Sequence, residues 1–182
     1  MKKKFVTLFF GAVTFGFLAV ASAATDGAKA TYKAATDSAS EMYKTERAKC
    51  DSLTGNPKDV CIEEAKATEK RSKAEAEAMY KNTPKARMNA RVAAADADYA
   101  VAKEKCNAQT GNTKDVCVKE AKAAQKKAVV DAKSSKEIGE VKTEAKKDKS
   151  DADYSVAIEK CKSMSGPSKD ACDATVKSKY GK

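Results

Sequence analysis

Histidine and tryptophan are absent from this sequence. Without imidazole there is no ordinary general base for neutral pH, and no ordinary Zn or Cu(II) nitrogen site. Proline is limited to Pro57, Pro84 and Pro167, so long stretches carry no strong helix breaker. Phe5, Phe9, Phe10, Phe15 and Phe17 are the only phenylalanines, and all lie in the first 23 residues. Two of the three leucines lie there too, leaving Leu53. Beyond residue 23 the large aliphatics are sparse, which excludes a thick globular core. There is no Gly-rich phosphate loop and no Gly-x-Ser-x-Gly. The carboxylates alternate with lysines at salt-bridge spacing and do not stand alone in apolar settings that would shift their pKa. No catalytic residue, cofactor site or metal site is assigned, and the chain is not expected to be an enzyme.

What is present begins with an export signature. Met1-Lys2-Lys3-Lys4 is a basic head, Phe5 to Val20 carries no charge, and Ala21-Ser22-Ala23 is a small-x-small cleavage site. A secretory signal peptide over 1–23, cut after Ala23, is the expectation. The apolar run has 16 residues, short of the roughly 20 that span a bilayer. No cysteine follows it to accept a lipid, and no later stretch is apolar enough to be a transmembrane span. The chain carries +10, three of it from Lys2, Lys3 and Lys4, so the mature part is still basic. Its acids and bases are interspersed, as in Glu63-Glu64-Ala65-Lys66, which reads as a solvated helix surface. Export argues further against nucleic acid as a partner.

Alanine, lysine and glutamate have high helix propensity, so long slender helices packed through small residues are expected. The chain also repeats. Cys50–Cys61 reads CDSLTGNPKDVC, Cys106–Cys117 CNAQTGNTKDVC, and Cys161–Cys172 CKSMSGPSKDAC. Residues 53–67 match 109–123 at eleven of fifteen positions, and 96–106 match 151–161 at nine of eleven. Three tandem units follow: 24–82, 83–139 and a truncated 140–182.

Each unit reads as helix, tight loop, helix. Met88, Val92, Ala95, Tyr99, Ala102 and Cys106 step by four and three, which is one helix face. Cys117, Ala121, Ala124, Ala128, Asp131, Ser135 and Ile138 continue that step after the loop. Tyr43, Tyr99 and Tyr154 each precede a cysteine by seven residues, placing tyrosine and cysteine on a shared face. Gly55 and Gly111 suit a left-handed residue at a helix end, and Gly166 holds the equivalent loop position. Asn56 and Asn112 read as N-caps with Asp59 and Asp115 three residues on, and Asp170 takes the same place in the third loop. There Pro167 replaces Asn, and the cap is expected at Ser168. Thr83-Pro84 starts another helix. Six helices are predicted: 26–53, 57–81, 84–109, 113–138, 141–164 and 168–180. Gly139 is a weak stop, so the fourth and fifth could also run as one.

Six cysteines in an exported chain read as disulfides, with fifteen possible pairings. On one continuous helix Cys50 and Cys61 would lie about 16 Å apart, whereas a disulfide needs Cα atoms within about 7 Å. A reversal at Gly-Asn brings them together, so the expected pairs are Cys50–Cys61, Cys106–Cys117 and Cys161–Cys172. The rival uses are a Cu(I) site of thiolates with Met42, Met79, Met88 or Met164, or a redox pair. No methionine recurs across the units, and redox pairs usually stand closer. The fold expected is all-α: three tandem disulfide-stapled helical hairpins, as a bundle or an elongated coiled-coil-like array. If the hairpins stack side by side, all three loops share one end, and that end is the expected contact surface.

With Ala/Lys/Glu helices behind an export signal, the chain resembles small exported Ala/Lys-rich helical proteins of Gram-negative bacteria. These are described as TolA-like, after the helical stalk of that envelope protein. The resemblance covers residues 24–182, rests on composition, and implies a periplasmic helical protein. In departure from TolA, neither an uncleaved N-terminal anchor nor a globular C-terminal domain is expected here, and the hairpins are stapled by Cys-x10-Cys. TolA's membrane-energising role is therefore not carried over. The stapled hairpin is also similar in architecture to the phosphate-starvation PsiF group, whose paired cysteines stand further apart. The function expected is a non-catalytic periplasmic envelope structural or interaction protein, with a stress-related role as one form of it. It would contact lipopolysaccharide, peptidoglycan or another envelope protein. A holdase-type chaperone is the alternative, and a Cu(I) or redox binder the second. No oligomeric state follows from the sequence.

Overall fold

The computed structural model describes residues 20–182, with side chains from Asp26 onward. The expected signal peptide therefore lies outside the described residues, apart from 20–23 in the first helical turn. The order is α1 (Val20–Lys49), a 3-10 turn (Cys50–Ser52), α2 (Gly55–Lys81), α3 (Pro84–Cys106), α4 (Gly111–Cys161) and α5 (Pro167–Tyr180). Among the described residues the fold is all-α, and its hairpins are stapled as expected. No helix there is long and apolar enough to cross a membrane.

The helices form from alanine propensity and local charge pairing. Glu41–Lys44, Glu69–Lys73, Glu77–Lys81 and Lys136–Glu140 are among the i,i+3 and i,i+4 pairs along their faces. α2 stops at Asn82, which is left-handed at φ +46° and returns its N–H to Ala78 O at 3.0 Å. Thr83 Oγ1 then accepts from Ala86 N at 3.1 Å, and Pro84 occupies the first helical position. This is the start that Thr83-Pro84 predicted, with a cap worth about 1 kcal/mol.

Each helix packs only against its neighbours in the chain: α1 on α2, α2 on α3, α3 on α4, and α4 on α5. The result is a layer one helix thick. α2 shows how this is built. Ala65 and Ala76 are buried on the α1 side, and Ala67 and Ala78 two residues further on are buried on the α3 side. Two residues turn a helix by about 200°, so these are opposite faces. All buried residues among those described are Ala or Cys, with no buried polar or charged group. Small side chains let the helices approach closely. The cystines complete the layer, since Cys50, Cys106 and Cys161 are fully buried.

The fourth and fifth predicted helices are one. α4 has 51 residues and passes through Gly139 without a break, a length of about 75 Å. Its first half packs on α3. The start of α3, around Pro84 and Met88, lies level with Gly139 and Thr143. The end of α5 lies level with Asp151, where Lys182 Nζ sits 2.6 Å from Asp151 Oδ1 and the Tyr180 ring meets Tyr154 edge-on. Between these levels α4 has no neighbour, and residues 137–149 are all exposed. Ile138, expected to continue the packed face of the fourth helix, is instead 55% exposed, because Ala132 and Gly139 define the face turned to α3.

Candidate functional site

The three loops were the expected contact surface. Two of them share an end of the layer, because α1 and α3 both run toward it. The third does not. α4 carries its staple onward, and 44 residues from Cys117 to Cys161 place it about 66 Å away at the opposite end. One continuous helix thus overturns the expectation of a single three-loop end.

The cystines are those derived from helix geometry. Cys50–Cys61, Cys106–Cys117 and Cys161–Cys172 each have Cα atoms 5.7 Å apart. Closing each twelve-residue loop contributes about 3 kcal/mol. No described cysteine is free. A Cu(I) or redox role would therefore begin with reduction of these bonds.

Gly55, Gly111 and Gly166 are left-handed, at φ +62°, +57° and +59°. Gly55 and Gly111 open α2 and α4, and Gly166 is the N-cap of α5, so none of them closes the first helix of its hairpin, which ends in a turn of i to i+3 bonds. Asn56 and Asn112 are not N-caps, because α2 and α4 begin one residue earlier. Thr54 and Thr110 hold the cap positions with no side-chain cap bond. In the third loop the cap is Gly166 and not Ser168, with Pro167 opening α5. Asp59, Asp115 and Asp170 are all exposed; Asp170 lies in the first turn of α5, and Asp59 and Asp115 just past the first turns of α2 and α4, as helix-dipole partners at most. The neighbouring lysines turn elsewhere: Lys58 to Asp51 at 3.3 Å and Lys169 to Asp173 at 2.9 Å.

Asn56 has a different role. Its Nδ2 donates to Glu104 O at 2.9 Å, tying the first loop to α3 of the next hairpin. Sequence reasoning missed this contact, although the recurrence of the asparagine in the second loop was a signal that it does more than cap. Beside it, Arg47 Nη1 and Lys58 Nζ converge on Asp51 Oδ1 at 2.7 and 3.3 Å. Hydrogen bonds from Arg47 and Lys58 hold the Asp51 carboxyl below the usual carboxylate range, and Asp51 raises Arg47 in turn. These groups are solvent-exposed, so they tune a polar surface and do not build a reactive site.

The concave features are shallow grooves between helices. One between α2 and α3 is lined by Ala78, Met79, Asn82, Arg87, Ala90 and Arg91, and Met79 is 78% exposed. Further along the same interface Lys105 Nζ reaches Glu64 Oε1 at 2.7 Å, Arg71 pairs with Asp98, and Lys70 Nζ lies 3.9 Å from Asp96 Oδ2. An arrangement of this kind can bind by charge, hydrogen bonding and apolar contact along helix faces. The chain matches no protein-family profile, no curated protein and no solved structure.

Proposed function

We propose that the protein is a non-catalytic structural or interaction protein of the periplasm, exported by cleavage after Ala23. The observation that carries this reading is the layer itself. A fold one helix thick, with a core of Ala and Cys only, spends its residues on exposed helix surface and not on an enclosed site. Three disulfides suit an oxidising compartment. The surplus of lysine favours anionic envelope polymers, such as lipopolysaccharide or peptidoglycan, or an acidic envelope protein. Binding of that origin weakens as salt rises. Sedimentation with envelope fractions should be strong at low salt and lost at high salt. A chain that stays in the supernatant at low salt ends this reading.

A holdase role is the second reading, favoured by Met42 and Met79, which are 49% and 78% exposed on α1 and α2. Exposed flexible methionines suit transient apolar contact. Suppression of client aggregation at stoichiometric amounts would support it. Equal aggregation with and without the protein would discard it.

A further inference from the structure

Among the described residues the outer face of α4 is left unpartnered. α3 and α5 lie end to end on one side of this helix, the side of Ala132 and Cys161. On the opposite side Val130, Ile138, Val141 and Val156 are 55–64% exposed. The internal repeat shows what such a face is for. Adding 56 to a residue of α2 gives its counterpart in the first half of α4, and adding 55 to a residue of α3 gives its counterpart in the second half. The α3-facing residues Ala67 and Ala78 correspond to Ala123 and Ser134. Residues on the α2-facing side of α3, Ala86 and Ala97, correspond to Val141 and Ala152. The first four are buried, and all four counterparts are exposed. The bare face of α4 is therefore the two mating faces of the α2·α3 interface, laid in series along one helix.

The charges correspond as well. Glu64–Lys105, Arg71–Asp98 and Lys70–Asp96 join α2 to α3. Their counterparts are Glu120 and Lys160, Lys127 and Asp153, and Lys126 and Asp151. The bond from Asn56 to Glu104 O maps onto Asn112 and Glu159. Glu120 and Lys160 are 40 residues apart on one helix, about 60 Å, so they cannot meet within this chain as folded.

We propose that this face is a homodimer interface. Two copies lay their long helices antiparallel, the first half of each against the second half of the other, in the register α2 and α3 use within one chain. The two-fold axis passes near Glu140, where both Glu120–Lys160′ and Lys127–Asp153′ are centred. Charge selects the same direction. Residues 111–136 hold seven lysines against three carboxylates, and 137–161 hold seven carboxylates against five lysines. Antiparallel pairing sets the basic half on the acidic half twice, whereas parallel pairing would oppose like charges. Because α3 and α5 occupy the other side of α4, the partner extends the layer without obstruction. The two interfaces formed would be of the kind exchanged in domain swapping, with residues 138–140 as a hinge drawn out into helix.

The test uses the mature chain with its disulfides intact. Light scattering should give twice the monomer mass, and a single-chain mass overturns the proposal. Ala123→Cys/Val156→Cys, oxidised and run without reductant, should give a covalent dimer whose new disulfide joins two chains. The same disulfide closed within one chain would mean that residues 140–180 fold back on their own α4, and overturns the proposal. Free thiols at both positions overturn it too. Charge exchange adds a readout that folding alone does not supply. Lys127→Glu should weaken dimerisation about tenfold and Asp153→Lys likewise, with the double exchange restoring it. Failure of the double exchange to restore association also counts against the proposal.

Discussion

The two connections between hairpins occupy equivalent places in the repeat and behave in opposite ways. Between α2 and α3 the chain reads Lys81-Asn82-Thr83-Pro84, and between the halves of α4 it reads Glu137-Ile138-Gly139-Glu140. The first has a left-handed asparagine, a capping threonine and a proline at the first helical position, each of which favours a stop and restart. The second has only a glycine, which weakens a helix by about 1 kcal/mol but leaves its hydrogen bonds intact. So the chain reverses at the first connection and continues at the second. Three residues decide whether a repeat packs on its predecessor or extends away from it.

The largest effect should come from transplanting the stop. In Ile138→Asn/Gly139→Thr/Glu140→Pro, proline inside α4 costs about 3 kcal/mol of continuous helix. The third hairpin should then fold back as α3 does on α2. Small-angle scattering should show a shorter maximum dimension, and light scattering a monomer. An unchanged maximum dimension would mean that the junction residues do not set the path. The reverse change is milder. Thr83→Ala should cost about 1 kcal/mol and lower Tm by about 2–4 °C in a chain of this size. α2 and α3 should stay paired, because ion pairs and buried alanines hold them after the cap is lost.

The same comparison explains what the sequence made legible. The helices, the disulfide pairing and the Thr83-Pro84 restart follow from local rules: alanine propensity, cystine reach and capping chemistry. Gly139 permits two outcomes, because a lone glycine is too weak a signal to settle whether a helix ends there. From that single uncertainty came the larger error, the placement of all three loops at one end, since the path of α4 decides where Cys161–Cys172 lies. The caps failed for another reason. Asn56 in isolation looks like a cap, and only the approach of α3 gives its amide the Glu104 carbonyl instead. Long-range contacts of this kind have no local pattern to announce them.

Glycines sharpen the contrast at smaller scale. Gly139 lies in an ordinary helical conformation, and a Cβ there would meet nothing within 4 Å. Gly139→Ala should stabilise the protein by about 0.5–1 kcal/mol, seen as a higher Tm and slower amide exchange across residues 137–149. Gly111 also has open space around it, but its φ is +57°. Gly111→Ala should therefore lower Tm, by about 1 kcal/mol of backbone strain. Opposite signs for two glycines on the same helix would separate conformation from packing as the cause.

The smallest effect belongs to the far end of the molecule. Asp151 accepts a hydrogen bond from Lys182 Nζ at 2.6 Å, and that bond, with the charges of Lys182 and Lys147, holds its carboxyl below the ordinary carboxylate value. A carboxyl with a depressed folded pKa adds stability that is fully present above its unfolded value. That contribution is lost as pH falls from the ordinary carboxylate value of about 3.9 through the lower folded one. The contact ties the chain's last residue to α4 just where α5 stops covering it. Acidification below about pH 4 should loosen the end of α5 before the stapled loop, visible as broadening of the Tyr180 and Lys182 resonances while the α2·α3 signals hold. The pair is exposed, so added salt should erase most of the pH dependence. Asp151→Asn should reproduce the low-pH spectrum at neutral pH; a spectrum unchanged by that substitution would assign the loosening to other carboxylates.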